Sequence, residues 1–439
     1  MDFQGRWISK FEYHRELTKP GICFLFHLRS NGFSHMSTTP NGQLGRIEFI
    51  TLIAALIVIN AFAIDIMLPG LQMIGESLGE SDANQRQLVI PAYMLGFGIL
   101  QLVFGPLADR FGRRKPLLIG VALYCLAALG AFVVSDFHTL VALRFLQGAG
   151  AAASAVIAIA VVRDTYVGDQ MAKTLSLVFM VMMVSPILAP GLGQFLLTVM
   201  DWRGLFGFMA GLGSIVLAWV YFRLPETLKP ENRRAFTARA IIEGFGIVFG
   251  NRVSLAYIMA TALLFGTLMG FLTSSQQIYV EHYGMGAWFP AFFAAGGAIS
   301  ALGGFLNAQL VTRFGMRPLS HRALAIYVVL ACALLLLSYL HALPVFLFFA
   351  VMCGLFVAFN FIMSNFGALA MVPLGEVAGT AASTQGFLQM VIGAALGTAI
   401  GQAYDGTPVP MAAGFVVLSL LASAVIALGI GKNTQEHAR

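Results

Sequence analysis

The first group in this chain that could do chemistry is a carboxylate inside an apolar run. Asp65, in Ala63-Ile64-Asp65-Ile66-Met67-Leu68-Pro69, is the only charged residue between Glu48 and Pro69. Holding a carboxylate within lipid costs at least ~2.5 kcal/mol on insertion scales, so a residue of this kind points to function. Burial favours the neutral acid and a nearby cation favours the carboxylate, so a carboxyl set between the two can load and release a proton. Asp65 is therefore the expected proton carrier, and the alternative is a surface-facing Asp at the mouth of its helix. Arg144, in Leu143-Arg144-Phe145-Leu146-Gln147-Gly148, is the natural counterpart. A guanidinium at such depth needs an anionic or carbonyl partner. Asp65 and Gln147 are the candidates; snorkelling toward the head groups past Asp136 and His138 is the alternative.

The elements that must hold these groups are membrane helices. Of 439 residues, 58% are hydrophobic and only 10% charged, against roughly 25% charged in soluble domains. Runs such as Leu52 to Ala63 and Leu324 to Leu337 are continuously apolar, which suits helices and not the alternating strands of a barrel. At about 20 residues per span there is room for about twelve. They are expected near 47–69, 87–107, 117–134, 139–162, 173–196, 204–223, 253–278, 287–309, 323–340, 343–371, 383–403 and 411–431.

The net charge of +6 is parcelled into loops, a sign of topology and not of nucleic-acid binding. Alternate loops hold Arg110 to Lys115, Arg163 to Lys173, Arg223 to Arg252 and Arg313 to Arg322, whereas the opposite loops hold only Arg86 and Arg203. Both termini and the basic loops are accordingly expected in the cytoplasm. The polar break near 224–252 divides the chain into a bundle at 47–223 and a second at 253–431, with a tail at 432–439. Within the N-terminal extension 1–46, the compositionally foreign residues 1–35 precede a natural start at Met36. Cys23, Cys125, Cys332 and Cys353 are isolated and read as packing residues. A Walker lysine motif, HExxH and a nucleophile elbow are all missing, so no enzyme, cofactor or metal site is expected.

The densest packet of charge is Gly105-Pro106-Leu107-Ala108-Asp109-Arg110-Phe111-Gly112-Arg113-Arg114-Lys115-Pro116, a tight polar turn between two spans. A weaker echo, Leu310-Val311-Thr312-Arg313-Phe314-Gly315-Met316-Arg317-Pro318, is what an internal repeat would leave. In span five, Pro186 and Pro190 remove backbone donors and are expected to bend the helix, while Gly191 and Gly193 permit close helix contact. Tyr93, Met94, Phe97, Gln147, Met183, Phe271, Ser274, Gln277, Asn360, Asn365, Gln385 and Gln389 could line a cavity for bulky, largely apolar ligands; taken singly, each also suits ordinary helix packing.

With these motifs in view, residues 44 to 431 resemble the major facilitator superfamily. Gly105, Asp109, Arg110, Gly112, Arg113 and Arg114 match its loop 2–3 signature, Arg313-Phe314-Gly315 its degenerate copy, and Pro225-Glu226-Thr227 is typical after span six. Asp65-Ile66-Met67-Leu68-Pro69, Arg144-Phe145-Leu146-Gln147-Gly148, Pro186 to Gly193 and Gly386-Phe387-Leu388-Gln389-Met390 resemble the twelve-span drug:proton antiporters of the bicyclomycin/chloramphenicol-resistance (Bcr/CflA) subgroup. The resemblance implies an all-α integral membrane protein of twelve transmembrane helices in two pseudo-symmetric six-helix bundles. It also implies a monomer in the bacterial inner membrane, exchanging small drugs for protons. Asp65 and Arg144 would couple proton and substrate, and the loop would act as a conformational latch, with Asp109 pairing with Arg113 and the cytoplasmic end of span eleven. Some multidrug relatives carry a second acid two turns before the Asp; Ile57 stands there, which favours neutral drugs over cations. A metabolite transporter of the same fold is the rival reading. A non-transporting sensor would need a soluble domain larger than the central loop.

Overall fold

A computed structural model describes residues 44–233 and 246–430. The foreign segment 1–35, the tail 432–439 and the loop from 234 to 245 lie outside the described residues. Each long apolar run is helical, because in lipid only intrahelical bonding satisfies the backbone N–H and C=O groups of a single segment. The helices are α1 (Arg46–Asp65), α2 (Val89–Phe111), α3 (Arg114–Val133), α4 (Phe137–Thr165), α5 (Gly168–Val199) and α6 (Trp202–Arg223). The second six are α7 (Arg252–Gln276), α8 (Phe289–Phe314), α9 (Met316–Tyr339), α10 (Val345–Met371), α11 (Ala378–Gln402) and α12 (Val409–Gly429). A short helix, Leu71–Ser77, follows α1, and a π-helical segment, Gln277–His282, extends α7.

Among the described residues, 10 helical stretches are long and apolar enough to cross a membrane. α5 and α11, with 32 and 25 residues, also exceed a ~30 Å hydrocarbon core at ~1.5 Å per residue. The twelve helices overlie the twelve expected spans, and polar caps decide several edges. Asp136 accepts a hydrogen bond from the Thr139 amide at 2.8 Å and starts α4 at Phe137; Asn251 accepts one from the Ser254 amide at 3.0 Å and starts α7. α5 runs as one helix through the positions of both prolines.

Packing repeats between the halves. α1 packs on α4, α5 and α6, as α7 does on α10, α11 and α12. The pairs α2–α4, α3–α4 and α3–α6 recur as α8–α10, α9–α10 and α9–α12, while α2–α11 and α5–α8 join the halves. The Arg-Phe-Gly echo is also conformational. α2 ends at Gly112 (φ 89°, ψ 165°) and α8 at Gly315 (φ 79°, ψ 156°), a backbone region open to glycine. In each copy the arginine lies over its phenylalanine ring, at 5.3 Å for Arg110 and 5.5 Å for Arg313. Large apolar side chains such as Ile119, Leu126, Ile215, Phe305, Val329 and Leu428 are exposed, as a lipid-facing surface requires.

Candidate functional site

The last turns of α1 are held from three sides. Arg144 of α4 is fully buried. Its guanidinium donates to the Ala63 carbonyl at 2.8 Å, the Val89 carbonyl at 3.2 Å and Gln147 Oε1 at 2.6 Å, and it stands 4.4 Å from the Tyr93 ring centroid. Tyr93 of α2 donates to Asn60 Oδ1 at 2.6 Å, and Tyr124 of α3 donates to the Ile59 carbonyl at 3.2 Å. Ala63 belongs to the final turn of α1, where carbonyls lack the N–H four residues on that would satisfy them within the helix. A cation there meets both an open acceptor and the negative end of the helix dipole.

Sequence reasoning offered Arg144 two partners, and the fold selects one. Gln147 bonds to it; among the described residues no ion pair joins Arg144 to Asp65. Carbonyls of α1 and α2 take the role assigned to the carboxylate. Asp65, two residues past the clamped carbonyl, is 5% exposed and makes no hydrogen bond or ion pair among the described residues. It is neither a surface Asp nor a paired one. Immediately after it, α5 crosses the turn so closely that a Cβ on Gly193 would collide with the Ile66 carbonyl, whereas one on Gly191 would meet open space. Pro190 is buried beside them; the side chains of Pro186 and Met183 lie outside the described ones.

The charged loop forms a second cluster at the basic end. Arg113 bridges Asp109, one turn back at 2.5 Å, and Asp164, at the end of α4, at 2.8 Å. The Glu226 carboxylate accepts the amides of Arg113 at 2.7 Å and Arg114 at 3.2 Å, capping α3 from the segment after α6. Arg114 donates to the Tyr221 carbonyl and lies over the Tyr221 ring. Among the described side chains, the bonds of Arg113 and Arg114 join the first half and its following segment; the side chains at 375–380, at the start of α11 where the resemblance implied a partner, lie outside the described ones. Asp164 is a participant that the sequence reading did not single out. Arg110 stays over Phe111, and Gly105 lies within α2.

The residues expected to line a cavity stand on α2, α4, α5, α7 with its π-helical extension, α10 and α11. Tyr93 and Gln147 belong to the Arg144 cluster, with Met94 and Phe97 buried on the same helix as Tyr93. Phe271 stacks among Phe293 and Phe356, at centroid distances of 6.0 and 5.0 Å. Asn360 and Asn365 turn to α8, donating to Ser300 Oγ at 2.5 Å and Asn307 Oδ1 at 2.7 Å. Gln385 and Gln389 are half-buried on α11. Ser274 is buried with a hydroxyl that has no hydrogen-bond partner among the described residues, and Gln277 joins a contact at the end opposite the basic loops. Asn60 escaped the sequence reading; a polar residue five positions before Asp65 in an apolar run was the available signal.

Comparison with known proteins follows the same lines. The family described as Major Facilitator Superfamily matches residues 53–398. A "Bicyclomycin resistance protein homolog" of Haemophilus influenzae is 32% identical over 388 residues, covering 87% of this chain and 96% of that protein. The "Multidrug resistance protein MdtL" of Escherichia coli O17:K52:H18 is 30% identical over 344 residues, covering 78% and 85%. Among solved structures, a D-xylose-proton symporter superposes with a TM-score of 0.70 at 16% identity, over 88% of this chain and 100% of that one. A partially occluded, inward-open conformation of the xylose transporter XylE from E. coli gives 0.67 at 14% identity, over 86% and 96%. These likenesses to solved structures concern the fold alone.

Proposed function

The chain belongs to the major facilitator superfamily, and from that premise we propose that it is a proton-coupled antiporter exporting small neutral or amphipathic drugs of the phenicol or bicyclomycin type. The observation that carries the coupling is Asp65, buried and without a partner among the described residues, two residues beyond a carbonyl held by Arg144. An ionised carboxylate without a partner is costly in a low-dielectric setting, so this closed arrangement suits the neutral acid. Loss of the proton would create an anion two residues beyond the carbonyl that Arg144 holds, and among the described residues that cation is bonded to neutral acceptors. Arg144 then has a reason to leave the Ala63 carbonyl for Asp65, and the last turn of α1 is freed to move. Proton release and α1 geometry are thereby linked through one guanidinium.

In this cycle drug binding favours release of the Asp65 proton, and reprotonation from the far side expels the drug while the two six-helix halves, near 47–223 and 253–431, rock about the site. The basic loops and both termini face the bacterial cytoplasm, and one chain forms the transport unit. The cluster around Asp109, Arg113, Asp164 and Glu226 acts as the cytoplasmic latch, ordered here on the first half and free to engage the second in another state. Names of the relatives support the drug class, as does Ile57 in place of a second membrane acid.

Susceptibility profiling tests the substrate class. An efflux-deficient bacterium carrying the gene is expected to tolerate severalfold more of a phenicol or of bicyclomycin than the same strain without it. Unchanged susceptibility across a broad drug panel would turn the reading toward a metabolite. The approach of α5 offers a finer test. Gly193→Ala would force α5 off the turn beside Asp65, at the ~1–3 kcal/mol usual for overpacking, and is expected to slow transport severalfold. Gly191→Ala, which meets open space, is expected to transport normally; equal rates in the two variants would remove Gly193 from the mechanism.

A further inference from the structure

At the end opposite the basic loops, one asparagine directs three side-chain hydrogen bonds to the other half of the molecule. Asn84 precedes α2. Its Nδ2 donates to the carbonyls of Gln402 and Tyr404, each at 3.0 Å, and its Oδ1 accepts from Gln277 Nε2 at 3.0 Å. Gln402 replies by donating through Nε2 to the Asn84 carbonyl at 2.7 Å, so the two residues clasp each other in both directions. Tyr404 donates to the Gln277 carbonyl at 3.3 Å, and Arg86 stands 3.7 Å from Glu281. Every partner lies on the π-helical extension of α7, at the end of α11 or just after it.

We propose that this clasp is the gate closing the non-basic end, with Asn84 as its hub, and that breaking it is the step that opens the central path on that side. The proposal rests on the alternating-access part of the functional reading and on neither the drug nor the proton. Its chemistry suits a contact that must open to water. Hydrogen bonds exchanged for bonds to water carry a modest net free energy, whereas an apolar seal would expose apolar surface each time it opened. The π segment adds compliance. Tyr283 N–H reaches back five residues to the Ile278 carbonyl at 3.0 Å, a pattern that occurs as rare single turns, often at functional sites. Gln277 is thereby assigned to the gate and not to drug binding.

Two measurements decide it, both in a background with Cys23, Cys125, Cys332 and Cys353 replaced by Ser. Ser274→Cys sits about one turn below Gln277, at 1% exposure, and reports opening through its rate of modification by a membrane-impermeant thiol reagent. Adding Asn84→Ala is expected to raise that rate about tenfold or more, as loss of three side-chain hydrogen bonds would; an unchanged rate overturns the proposal. In the second arm, Asn84→Cys with Gln402→Cys is bridged by a short bifunctional thiol reagent. Transport is expected to fall more than tenfold and to return on reduction. Normal transport by the bridged protein overturns the gate even if Asn84→Ala fails to fold. Labelling needs no substrate, so the clasp can be judged if the susceptibility panel shows no drug resistance.

Discussion

Asp65→Asn is expected to yield a protein that folds and binds drug but no longer exports it against a gradient. Asn matches Asp in shape and stays neutral at every pH. Because Asp65 makes no hydrogen bond or ion pair among the described residues, the exchange removes no stabilising contact. It removes the proton site alone. For a neutral drug exchanged for one proton, a 100 mV potential supplies ~2.3 kcal/mol, enough for about a 50-fold drug gradient at ~1.4 kcal/mol per tenfold. Energised everted vesicles bearing the parent protein should accumulate drug, and those bearing the variant should only equilibrate it. Accumulation at the parent level by Asp65→Asn would dismiss Asp65 as the carrier.

Arg144 should behave in the opposite way, with large losses of both stability and transport. Its guanidinium serves the Ala63 and Val89 carbonyls and Gln147 Oε1, all in a fully buried setting. Arg144→Met leaves those acceptors without their donor, at ~1–3 kcal/mol for each one unpaired. Arg144→Lys restores the charge but not the planar fork that reaches α1, α2 and α4 together. Thermal unfolding in detergent is expected to rank wild type above Lys and Lys above Met, with proton-driven export nearly lost in both variants. A Lys variant that exports at the wild-type rate would show that only the charge matters and would remove the proposed partner exchange.

How much of this was legible beforehand differs by element. The twelve helices were, because transfer of apolar side chains into lipid is a property of each residue and sums along a run. The charged loop was, because Asp109, Arg110, Arg113, Arg114 and Lys115 cannot sit within lipid, and its echo at Arg313-Phe314-Gly315 took the same positive-φ turn. Arg144 was legible as a residue in need of a partner but not as one served by carbonyls, since every residue has a carbonyl and none carries a signature. The neighbours of the proposed lining residues were hidden for a related reason. Asn360 and Asn365 are polar residues in a span, yet their amides meet α8, a choice that helix rotation makes and composition does not. Asn84 looked like any asparagine of a polar loop.

From sequence alone follow the membrane, the number of helices, the repeat, and the two ionisable residues in spans whose presence needs an explanation. Those conclusions rest on energies that attach to single residues or to neighbours in the chain. Only the tertiary structure decided that Arg144 holds α1 by its carbonyl, that Asp65 stands without a partner among the described residues, and that Asn84 ties the two halves together. The reason is separation along the chain: the Arg144–Ala63 bond spans 81 residues, Gln277–Asn84 193 and Asn84–Gln402 318. A hydrogen bond depends on distances of about 3 Å, and packing twelve helices is what sets those distances.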